Sequence, residues 1–448
     1  MANSPKTRLA KPLIGGDREQ RLKLGRECRK QLNRSRLGEF DPHKRNFKPV
    51  DLLVGATEGR VSALLPLKYT RMAASPFAFF RGAVSIMAAD LALTPTTGLT
   101  VQLCGDAHVQ NLGSFEAPDG RLVFDVNDFD ETIPGPWEWD VKRMAASIVL
   151  AGDECEHGRL ECERAVEAFA SGYCETIETL AEQPILAAAR HVIHRMREAQ
   201  AITAALAQAE RAQPKELLKH YTEQSGRGNH RFKKIPHSLW RIQGAERAAV
   251  LHSLPLYQKS LTPERLHLFD FFKERDVAFK VVGTGSVGLR DYVVLMEGNG
   301  PGDPLFLQIK QEVQSAYAPY LKHPGYRHQG QRVAEAQRRI QPVSDLLLGW
   351  TRFDGHDFLV RQLNDHKGSV DLMKLRGEGL VSLARVAGEL LARGHARSGD
   401  ALSIKGYIGS FDKIVKAIVS YGTKYATLAQ DDYAEFKKAI ASGRLKTV

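Results

Sequence analysis

Two short strand-like runs, each followed by acid and amide side chains, constrain the fold of this chain more than any other feature. The runs are LTVQLC at residues 99–104 and RLVFDVND at residues 121–128, and GDAHVQNLGSFEAPDG joins them. The turn residues APDG let the chain reverse between the runs. Polar clusters at the ends of neighbouring strands predict one shared site in a small β element. The alternative is an acidic turn whose side chains make only local hydrogen bonds.

Helical sequence surrounds this β element. Apolar residues at helical spacing predict a buried helix within residues 65–93, with SP as a start signal. Ala, Leu, Glu and Arg dominate residues 136–213, which predicts a helical layer. The glycine-rich and basic segment 225–242 breaks this regularity and is typical of either a substrate loop or an interdomain linker.

A second β-rich region follows and leads into C-terminal helices. Strand-like sequence covers residues 277–297 and 304–313. A helical stretch at 330–348 separates it from the strand-like HDFLVRQLN at 356–364. From about residue 371 the chain is helical. Together these patterns predict an α+β fold.

Length and composition indicate a soluble globular protein. A chain of 448 residues, 43% hydrophobic and 26% charged, is expected to form more than one compact unit. No apolar run approaches the roughly 18 residues that a membrane helix needs, and the N-terminus lacks the apolar core of a secretory signal. We therefore expect a cytoplasmic protein without a transmembrane segment. The five cysteines include no CxxC pair, which favours reduced thiols.

Positive charge is concentrated at the N-terminus. The net charge is +11, and residues 1–50 hold 14 Lys and Arg against 5 Asp and Glu. Such a segment can contact nucleic acid, an anionic surface or acidic substrates, or it can be a solvated helix with a charged face. Residues 1–60 are therefore interpreted as a basic N-terminal arm, with nucleic acid as a candidate partner.

The segment VVGTGSVG contains three glycines in GxGxxG spacing: Gly283, Gly285 and Gly288. A dinucleotide-binding fold would need a helix directly after the third glycine. The residues LRDYVVLME favour a strand instead, so we expect the loop, which includes Ser286, at the tip of a β-hairpin. Protein-kinase-like folds cover nucleotide phosphates with such a hairpin and a lysine from a later strand. Lys310 is that candidate, and a plain hairpin with an exposed lysine is the alternative.

Two further parts of a kinase-like nucleotide site have candidates. Glu335, in the helical RVAEAQRRI, could hold Lys310 by an ion pair, and Glu312 competes for this role. The strand-like FLVRQLN at 358–364 could be the hinge on which adenine sits.

The polar loop after the first strand suits phosphoryl transfer, which needs an aspartate for the acceptor and oxygen ligands for magnesium. Asp106 and Asn111 meet this requirement on one loop. His108 is a candidate catalytic base or loop-orienting residue, and it lacks the HxxxH or HxH partner typical of a metal ligand. The next strand offers three aspartates for the metal: Asp125, Asp128 and Asp130.

Several long motifs resemble the bacterial family called domain of unknown function 2252. They include SPFAFFRGA, GDAHVQNLGSF, NDFDETIPGPWEWDVKRMAAS, GTGSVG, PLFLQIKQ and HARSGD, and they cover nearly the whole chain from about residue 60. The loop CGDAHVQN is in turn similar to the HGDxHxxN loop of aminoglycoside and choline phosphotransferases, in the protein-kinase-like superfamily. Cys104 stands where that pattern has its first histidine, so the loop geometry is expected to differ.

The similarity to phosphotransferases implies roles for individual residues. Asp106 would be the catalytic base and Asn111 a magnesium ligand. Asp128 is favoured as the second metal ligand, and Asp125 is the alternative because its spacing from Asn111 suits slightly better. Asp140 would be the structural aspartate of the following helix.

The order of these parts differs from that in ordinary kinases, where the glycine loop and lysine precede the catalytic loop. The C-terminal LVSLARVAGELLARGHARSGD resembles the helix that ends just before the catalytic loop in phosphotransferases. We therefore expect a circularly permuted, two-lobe, protein-kinase-like fold. It would comprise a mainly helical catalytic lobe at 61–260, a β-rich nucleotide-binding lobe at 261–365 and C-terminal helices at 366–448 that complete the catalytic lobe.

The expected function is an ATP- and magnesium-dependent phosphotransferase acting on a small-molecule or protein acceptor. Nucleotidyl transfer to a protein would use the same parts. One alternative is a non-catalytic protein that senses nucleotide or binds nucleic acid through the basic arm. Another is a degenerate kinase fold kept as a scaffold.

Overall fold

The computed structural model describes residues 16–191, 200–211, 214–225, 229–322, 325–363, 367–372 and 375–448. The helices of the first half of the chain are α1 (Arg18–Gln31), α2 (Pro49–Gly55), α3 (Leu65–Met72), α4 (Pro76–Gly82), α5 (Val84–Ala92), α6 (Trp137–Glu154), α7 (Arg159–Glu182), α8 (Ile185–Ala189), α9 (Gln200–Arg211) and α10 (Pro214–Tyr221). Those of the second half are α11 (Gly244–His252), α12 (Leu254–Gln258), α13 (Pro263–Phe269), α14 (Gln329–Ile340), α15 (Gly379–Ser398), α16 (Ala401–Ile408) and α17 (Asp412–Ala441).

The strands are β1 (Thr100–Leu103), β2 (Leu112–Glu116), β3 (Leu122–Val126), β4 (Ile133–Pro136), β5 (Thr222–Ser225), β6 (Asn229–Phe232), β7 (Leu239–Arg241), β8 (Lys273–Lys280), β9 (Asp291–Glu297), β10 (Pro304–Glu312), β11 (Gly349–Phe353), β12 (His356–Gln362) and β13 (Lys367–Ser369). They form a six-stranded sheet in the order β11-β12-β10-β9-β8-β7, a three-stranded sheet β13-β2-β3 and the pairs β1-β4 and β5-β6. The expected α+β class is confirmed.

The helical part of the protein is organised around α6, which is buried along most of its length. Its apolar residues pack in one core with residues of α7, α15 and α17. Trp137 at the start of α6 stacks on Tyr173 of α7, with ring centroids 5.3 Å apart. The helix also buries polar side chains, including Asp140 and Arg143. Buried polar groups need partners, so these two residues indicate where α6 supports a site.

The side chains of β10 alternate between the two faces of the six-stranded sheet. Leu307 and Ile309 pack into a core that also contains residues of α11, α12 and α13. Because successive side chains of a strand point to opposite faces, Lys310 and Glu312 lie on the other face. Both are nevertheless buried. That face meets the loops of the helical part, and the contact between them forms the cleft described below.

The glycine-rich segment lies where the sequence predicts it, in the antiparallel hairpin of β8 and β9. Lys310 is on the next strand, β10, and α14 follows. In the helical part, α15 ends beside β1, since the backbone N–H of Gln102 donates to Oγ of Ser398 at 3.1 Å across 296 sequence positions. α15 therefore ends next to the strand that leads into the Asp106 loop.

Residues 16–60 pack on the helical part of the chain. α1 lies along α16, and Arg21 of α1 forms an ion pair of 2.5 Å with Asp400. Arg45 binds Asp90 of α5 at 2.6 Å and Asp432 of α17 at 2.7 Å. Several cations of the basic segment are therefore neutralised within the chain.

The structure differs from the sequence interpretation in several elements. The single helix expected within residues 65–93 is divided into α3, α4 and α5, because Ser75 caps a new helix at Pro76 and Ala83 interrupts the next turn. β2 was not predicted, and α14 ends at Ile340, before the end of the helical stretch expected at 330–348. The sheet part begins before residue 261, since β7 pairs with β8 and residues of α11 and α12 join the same core.

Some sequence predictions lie outside the described residues. These are 1–15 of the basic arm, 192–199 and 212–213 of the predicted helical layer, 226–228 of the glycine-rich segment and Asn364 of the hinge candidate. Among the helices in the described ranges, none is long and apolar enough to cross a membrane.

Replacing Arg45 by alanine should destabilise the protein strongly. The change leaves Asp90 and Asp432 buried without their counter-ion, and breaking a buried ion pair from one side costs about 3–5 kcal/mol. Arg444→Ala is the control, because the pair of Arg444 with Asp51 is half exposed and should contribute less than about 1 kcal/mol. Urea unfolding measures both, and equal effects of the two changes would contradict the assignment.

Candidate functional site

Helix α6 anchors the loop between β1 and β2. The carboxylate of Asp140 accepts hydrogen bonds from the backbone N–H groups of Cys104 at 2.7 Å and Gly105 at 3.0 Å. His395 of α15 lies 3.2 Å from the same carboxylate. Gly105 has a φ of +86°, and a Cβ there would lie 2.2 Å from the carbonyl oxygen of Glu131, so the loop requires glycine. Because the backbone makes these bonds, the loop is anchored without a histidine at Cys104.

Asp106 projects from this loop into a buried ion pair. Arg143 of α6 donates to Oδ1 from Nη2 at 2.5 Å and from Nε at 2.9 Å. Burial alone would raise the pKa of Asp106, but the charge of Arg143 and the neighbouring ring of His108 hold it at about 2. Oδ2 lies 3.6 Å from Nε2 of His108, and the Asp106 side chain is 17% exposed. The ionised carboxylate thus has one oxygen bound by Arg143 and the other beside His108.

His108 is a buried neighbour of this carboxylate. Its Nδ1 has no hydrogen-bond partner in the described residues, and its ring meets Phe77 edge-on at 6.2 Å. Burial lowers the pKa of His108, although Asp106 acts in the opposite direction. The ring is therefore neutral at pH 7 and has a nitrogen available to a ligand.

Asn111 connects the loop of Asp106 to the acidic loop after β3. Its Nδ2 donates to the backbone carbonyls of Asp106 and Asp128, each at 2.9 Å. Only the NH₂ end of an amide can donate, so these two bonds fix the orientation of the side chain. They leave Oδ1 as the atom of Asn111 that is able to bind a cation.

The acidic loop brings two carboxylates to Lys310. Nζ of Lys310 lies 2.6 Å from Asp130 and 3.5 Å from Oδ1 of Asp128, which is 182 positions away in the sequence. Oγ of Ser286, in the glycine loop, donates to Asp130 at 2.9 Å. Burial would raise the pKa of Asp130, but Lys310 holds it well below its usual range. Asp130 is therefore the counter-ion of Lys310.

Asp128 is the more accessible of these two carboxylates, with a side chain that is 43% exposed. Burial and the neighbouring charge of Asp130 both raise its pKa. A carboxylate that is repelled by a second carboxylate gains most from an added cation. Asp128 is thus the residue of this loop that is placed to bind one.

Two further acids flank Lys310 on the sheet. Asp291 pairs with Lys310 in the register of β9 and β10, and Glu312 lies two residues along β10. Oδ1 of Asp291 and Oε1 of Glu312 are buried without a hydrogen-bond partner. Burial raises the pKa of both groups, to about 7 for Asp291. Acids therefore outnumber the lysine here, and the cluster can take up additional positive charge.

Cations from the N-terminal half of the chain hold the glycine loop in place. Arg60 donates to the carbonyls of Gly285 at 2.8 Å and Val287 at 2.7 Å. Lys68 donates to the carbonyl of Gly285 at 2.9 Å. Gly288 has a φ of +92°, a left-handed conformation that favours glycine and lets the loop turn into β9. The loop is thereby fixed above the acidic cluster.

A cavity of 340 Å³ lies beside Gln308, two residues before Lys310 on β10. Gln308 and Arg361 line it from the sheet, Asn127 from the acidic loop and Leu363 from the end of β12. Arg361 donates to Oε1 of Gln308 at 3.0 Å. Because Gln308 is two residues before Lys310 on one strand, the two side chains share a face of the sheet. The cavity therefore lies on the face of the sheet that carries Lys310, although Lys310 itself is not among the described residues that line it.

The structure brings most of the sequence-predicted residues together at this cleft: Asp106, His108, Asn111, Asp128, Ser286 and Lys310. Gly283, whose carbonyl is bound by Arg71, Gly285 and Gly288 form the loop above them.

Two predicted residues lie elsewhere. Asp125 is fully buried and forms an ion pair with Arg393 of α15, so it is not placed to bind a metal. Glu335 is on the exposed stripe of α14, where it accepts a hydrogen bond from Gln331 at 2.7 Å. The expected ion pair of Glu335 with Lys310 is therefore absent, because Asp128 and Asp130 provide the counter-ions.

Sequence reasoning missed the arginines that support the site. α14 presents Arg332 to the acidic loop, where it donates to the carbonyls of Asp130 at 2.8 Å and Thr132 at 2.5 Å. Arg143, the partner of Asp106, lies within α6, three residues after PGPWEWD. A charged residue on the buried face of a helix is the signal that could have identified it.

These features define a class of protein. It is an α+β protein in which an antiparallel sheet and a helical part meet at a buried acidic cleft, beneath a glycine-rich hairpin. A family model described as an uncharacterized protein conserved in bacteria, domain of unknown function 2252, matches residues 60–439. The chain belongs to this family. Comparisons with curated proteins and with solved structures gave no match.

The ion pair of Asp106 should make stability depend on pH. A carboxyl whose pKa is lower in the folded chain than in the unfolded chain stabilises the fold above the unfolded pKa, about 3.9, and loses that effect as the pH falls. With a pKa of about 2 in the folded protein, Asp106 should contribute roughly 2 kcal/mol at neutral pH. The difference in the free energy of unfolding between wild type and Asp106→Asn should be constant above pH 5 and shrink between about pH 4 and pH 2.

Urea unfolding of wild type and Asp106→Asn across this pH range measures the difference. Asp119→Asn is the control, because the ion pair of Asp119 with Arg121 is half exposed and its loss should change stability much less. A difference between wild type and Asp106→Asn that does not change with pH would contradict the buried ion pair.

Proposed function

We propose that this protein is an ATP- and magnesium-dependent phosphotransferase that acts on a hydroxyl of a small-molecule or protein acceptor. The observation that carries the proposal is the contact of Lys310 with Asp128 and Asp130 below the glycine loop. A kinase-like site needs a lysine for the phosphates and an aspartate for the metal at one point. Here both reach that point from distant parts of the sequence.

Lys310 and the glycine loop would hold the phosphates. Lys310 is buried, and its ion pairs are with Asp128 and Asp130, so a phosphate can replace or share these partners. The adenine base of ATP would occupy the 340 Å³ cavity, which is lined by the end of β12 and by the side chains of Gln308 and Arg361. The hinge candidate of the sequence, residues 358–364, includes this end of β12.

Asp106 would orient the acceptor hydroxyl. Arg143 fixes Oδ1, so Oδ2 is the oxygen that can accept the hydroxyl hydrogen bond. With a pKa of about 2, Asp106 is a weak base that takes up the proton only as the new bond forms and then releases it to water. The acceptor oxygen bonds to the terminal phosphorus of ATP, the bond from that phosphorus to the bridging oxygen breaks, and its electron pair leaves with ADP.

The residues present fit one magnesium ion. Asp128 offers an accessible carboxylate, Asn111 offers Oδ1, and two further buried acids flank Lys310 with unpartnered oxygens. The described residues contain no group of three or more His, Cys, Asp or Glu that would form a metal site by itself. Magnesium commonly binds through one or two protein carboxylates together with substrate phosphates. Bound there, it would neutralise charge on the phosphates.

The arrangement of the elements supports a circularly permuted kinase-like fold. The order of hairpin, lysine strand and helix in β8, β9, β10 and α14 is the order of the corresponding parts in protein kinases. α15 ends at Ser398 beside Gln102 of β1. A connection at that point would place α15 directly before the Asp106 loop, which is its expected position in phosphotransferases.

Calorimetric titration with Mg·ATP tests the proposal. Wild type should bind, and Lys310→Met and Asp128→Asn should each lower the affinity at least roughly tenfold, because each removes a charge-assisted contact. Lys273→Met is the matched control, since Lys273 is exposed at the start of β8 in the same sheet. Its affinity should equal that of wild type.

Two results would contradict the proposal. One is the absence of Mg·ATP binding by wild type whose thermal unfolding shows a folded protein. The other is binding that both Lys310→Met and Asp128→Asn leave unchanged, because the nucleotide would then lie elsewhere.

A further inference from the structure

Helix α4 places one more cation at the junction of the Asp106 loop and the glycine loop. The carbonyl oxygen of Arg81 lies 3.6 Å from the position of a Cβ built on Gly285, so the end of α4 contacts the tip of the glycine loop. The guanidinium carbon of Arg81 lies 5.9 Å from the ring centroid of Phe77, and that ring meets His108. Arg81 is thus located between His108 and the glycine loop.

The guanidinium of Arg81 has no ion pair or hydrogen bond among the described residues, and its Nε is buried without a partner. The Nε of Arg60 is likewise buried without a partner, but the guanidinium of Arg60 and the other neighbouring cations have partners. Arg143 binds Asp106, Arg60 binds loop carbonyls and Lys310 binds Asp130. A buried donor without a partner is unfavourable, so Arg81 is a donor in need of an acceptor.

The surrounding charges show which kind of acceptor fits. Burial lowers the pKa of Arg81, while the charges of Asp106, Glu154 and Asp128 oppose that effect. An arginine keeps its charge in proteins because its ordinary pKa exceeds 12. The positive charge of Arg81 therefore acts on the space between Asp106 and Asp128, the two aspartates that the proposed reaction uses. The group transferred in that reaction would occupy this space, and it carries anionic oxygens.

Resting on the phosphotransferase function proposed above, we infer that Arg81 binds the oxygens of the terminal phosphate of ATP. Its planar guanidinium matches two phosphate oxygens at once, which a lysine ammonium does not. It would then be a catalytic residue that stabilises charge on the group in transit, supplied by the chain itself. The contacts of Arg60 and Lys68 with the glycine loop keep the loop tip against α4 and so preserve this position.

Loss of Arg81 should affect the affinities for ATP and ADP differently, because only ATP carries the phosphate that Arg81 would contact. Calorimetry with Mg·ATP and Mg·ADP should show that Arg81→Gln weakens Mg·ATP binding by roughly tenfold to a hundredfold. Mg·ADP affinity should change by less than about twofold, since its phosphates contact Lys310 instead. Arg81→Lys should retain part of the preference for ATP, because it keeps the charge without the bidentate geometry.

Arg159→Gln is the matched control, since Arg159 is exposed on α7 and pairs with Glu163. Thermal unfolding establishes that each variant is folded. An Arg81→Gln variant that loses Mg·ATP and Mg·ADP affinity equally, or loses neither, would overturn the role of Arg81 while leaving nucleotide binding intact in wild type. If folded wild type binds neither nucleotide, the proposed function fails, and the role of Arg81 fails with it.

Discussion

The cleft depends on the ion pair between Lys310 and the acidic loop. Lys310 is buried in the sheet, and a buried ammonium requires a counter-ion. Asp130 supplies it from the helical part, and the same carboxylate binds Ser286 of the glycine loop. Arg332 of α14 binds the backbone of the acidic loop, at the carbonyl of Asp130. One acidic turn therefore joins the lysine strand, the glycine hairpin and the helix behind them, and its geometry fixes the relation of the sheet to the Asp106 loop.

The helical part prepares the other side of the cleft through α6. Asp140 binds the backbone of the loop and Arg143 binds the carboxylate of Asp106, so one buried helix sets both the path of the loop and the direction of its acid. Asn111 then connects this loop to the acidic turn. Such bonds are made before any ligand arrives, which is the preorganisation that charge-stabilising sites require. The site is consequently rigid where the reacting groups would lie.

Local sequence predicted the parts of this site better than the contacts between them. Strand alternation and glycine spacing located the hairpin and Lys310, and the polar loop identified Asp106 and Asn111. The partners of Lys310 were not predictable, because Asp130 and Asp128 lie 180 and 182 positions away and neighbouring aspartates of one segment compete for the role. The structure assigns Asp125 to Arg393, whereas helical phase places Glu335 on the exposed side of α14. Arg143 and Arg332 were missed because the sequence around a cation in a helix does not show which distant residue it contacts.

The central claim is that two distant sequence regions form one nucleotide site. A crystal structure of the full chain with magnesium and a non-hydrolysable ATP analogue tests it most directly. The account predicts phosphates between Lys310 and the glycine loop, a metal bound by Asp128 and Asn111, and the base in the cavity beside Gln308. A nucleotide bound outside this cleft, with Lys310 still paired to Asp128 and Asp130, would contradict it.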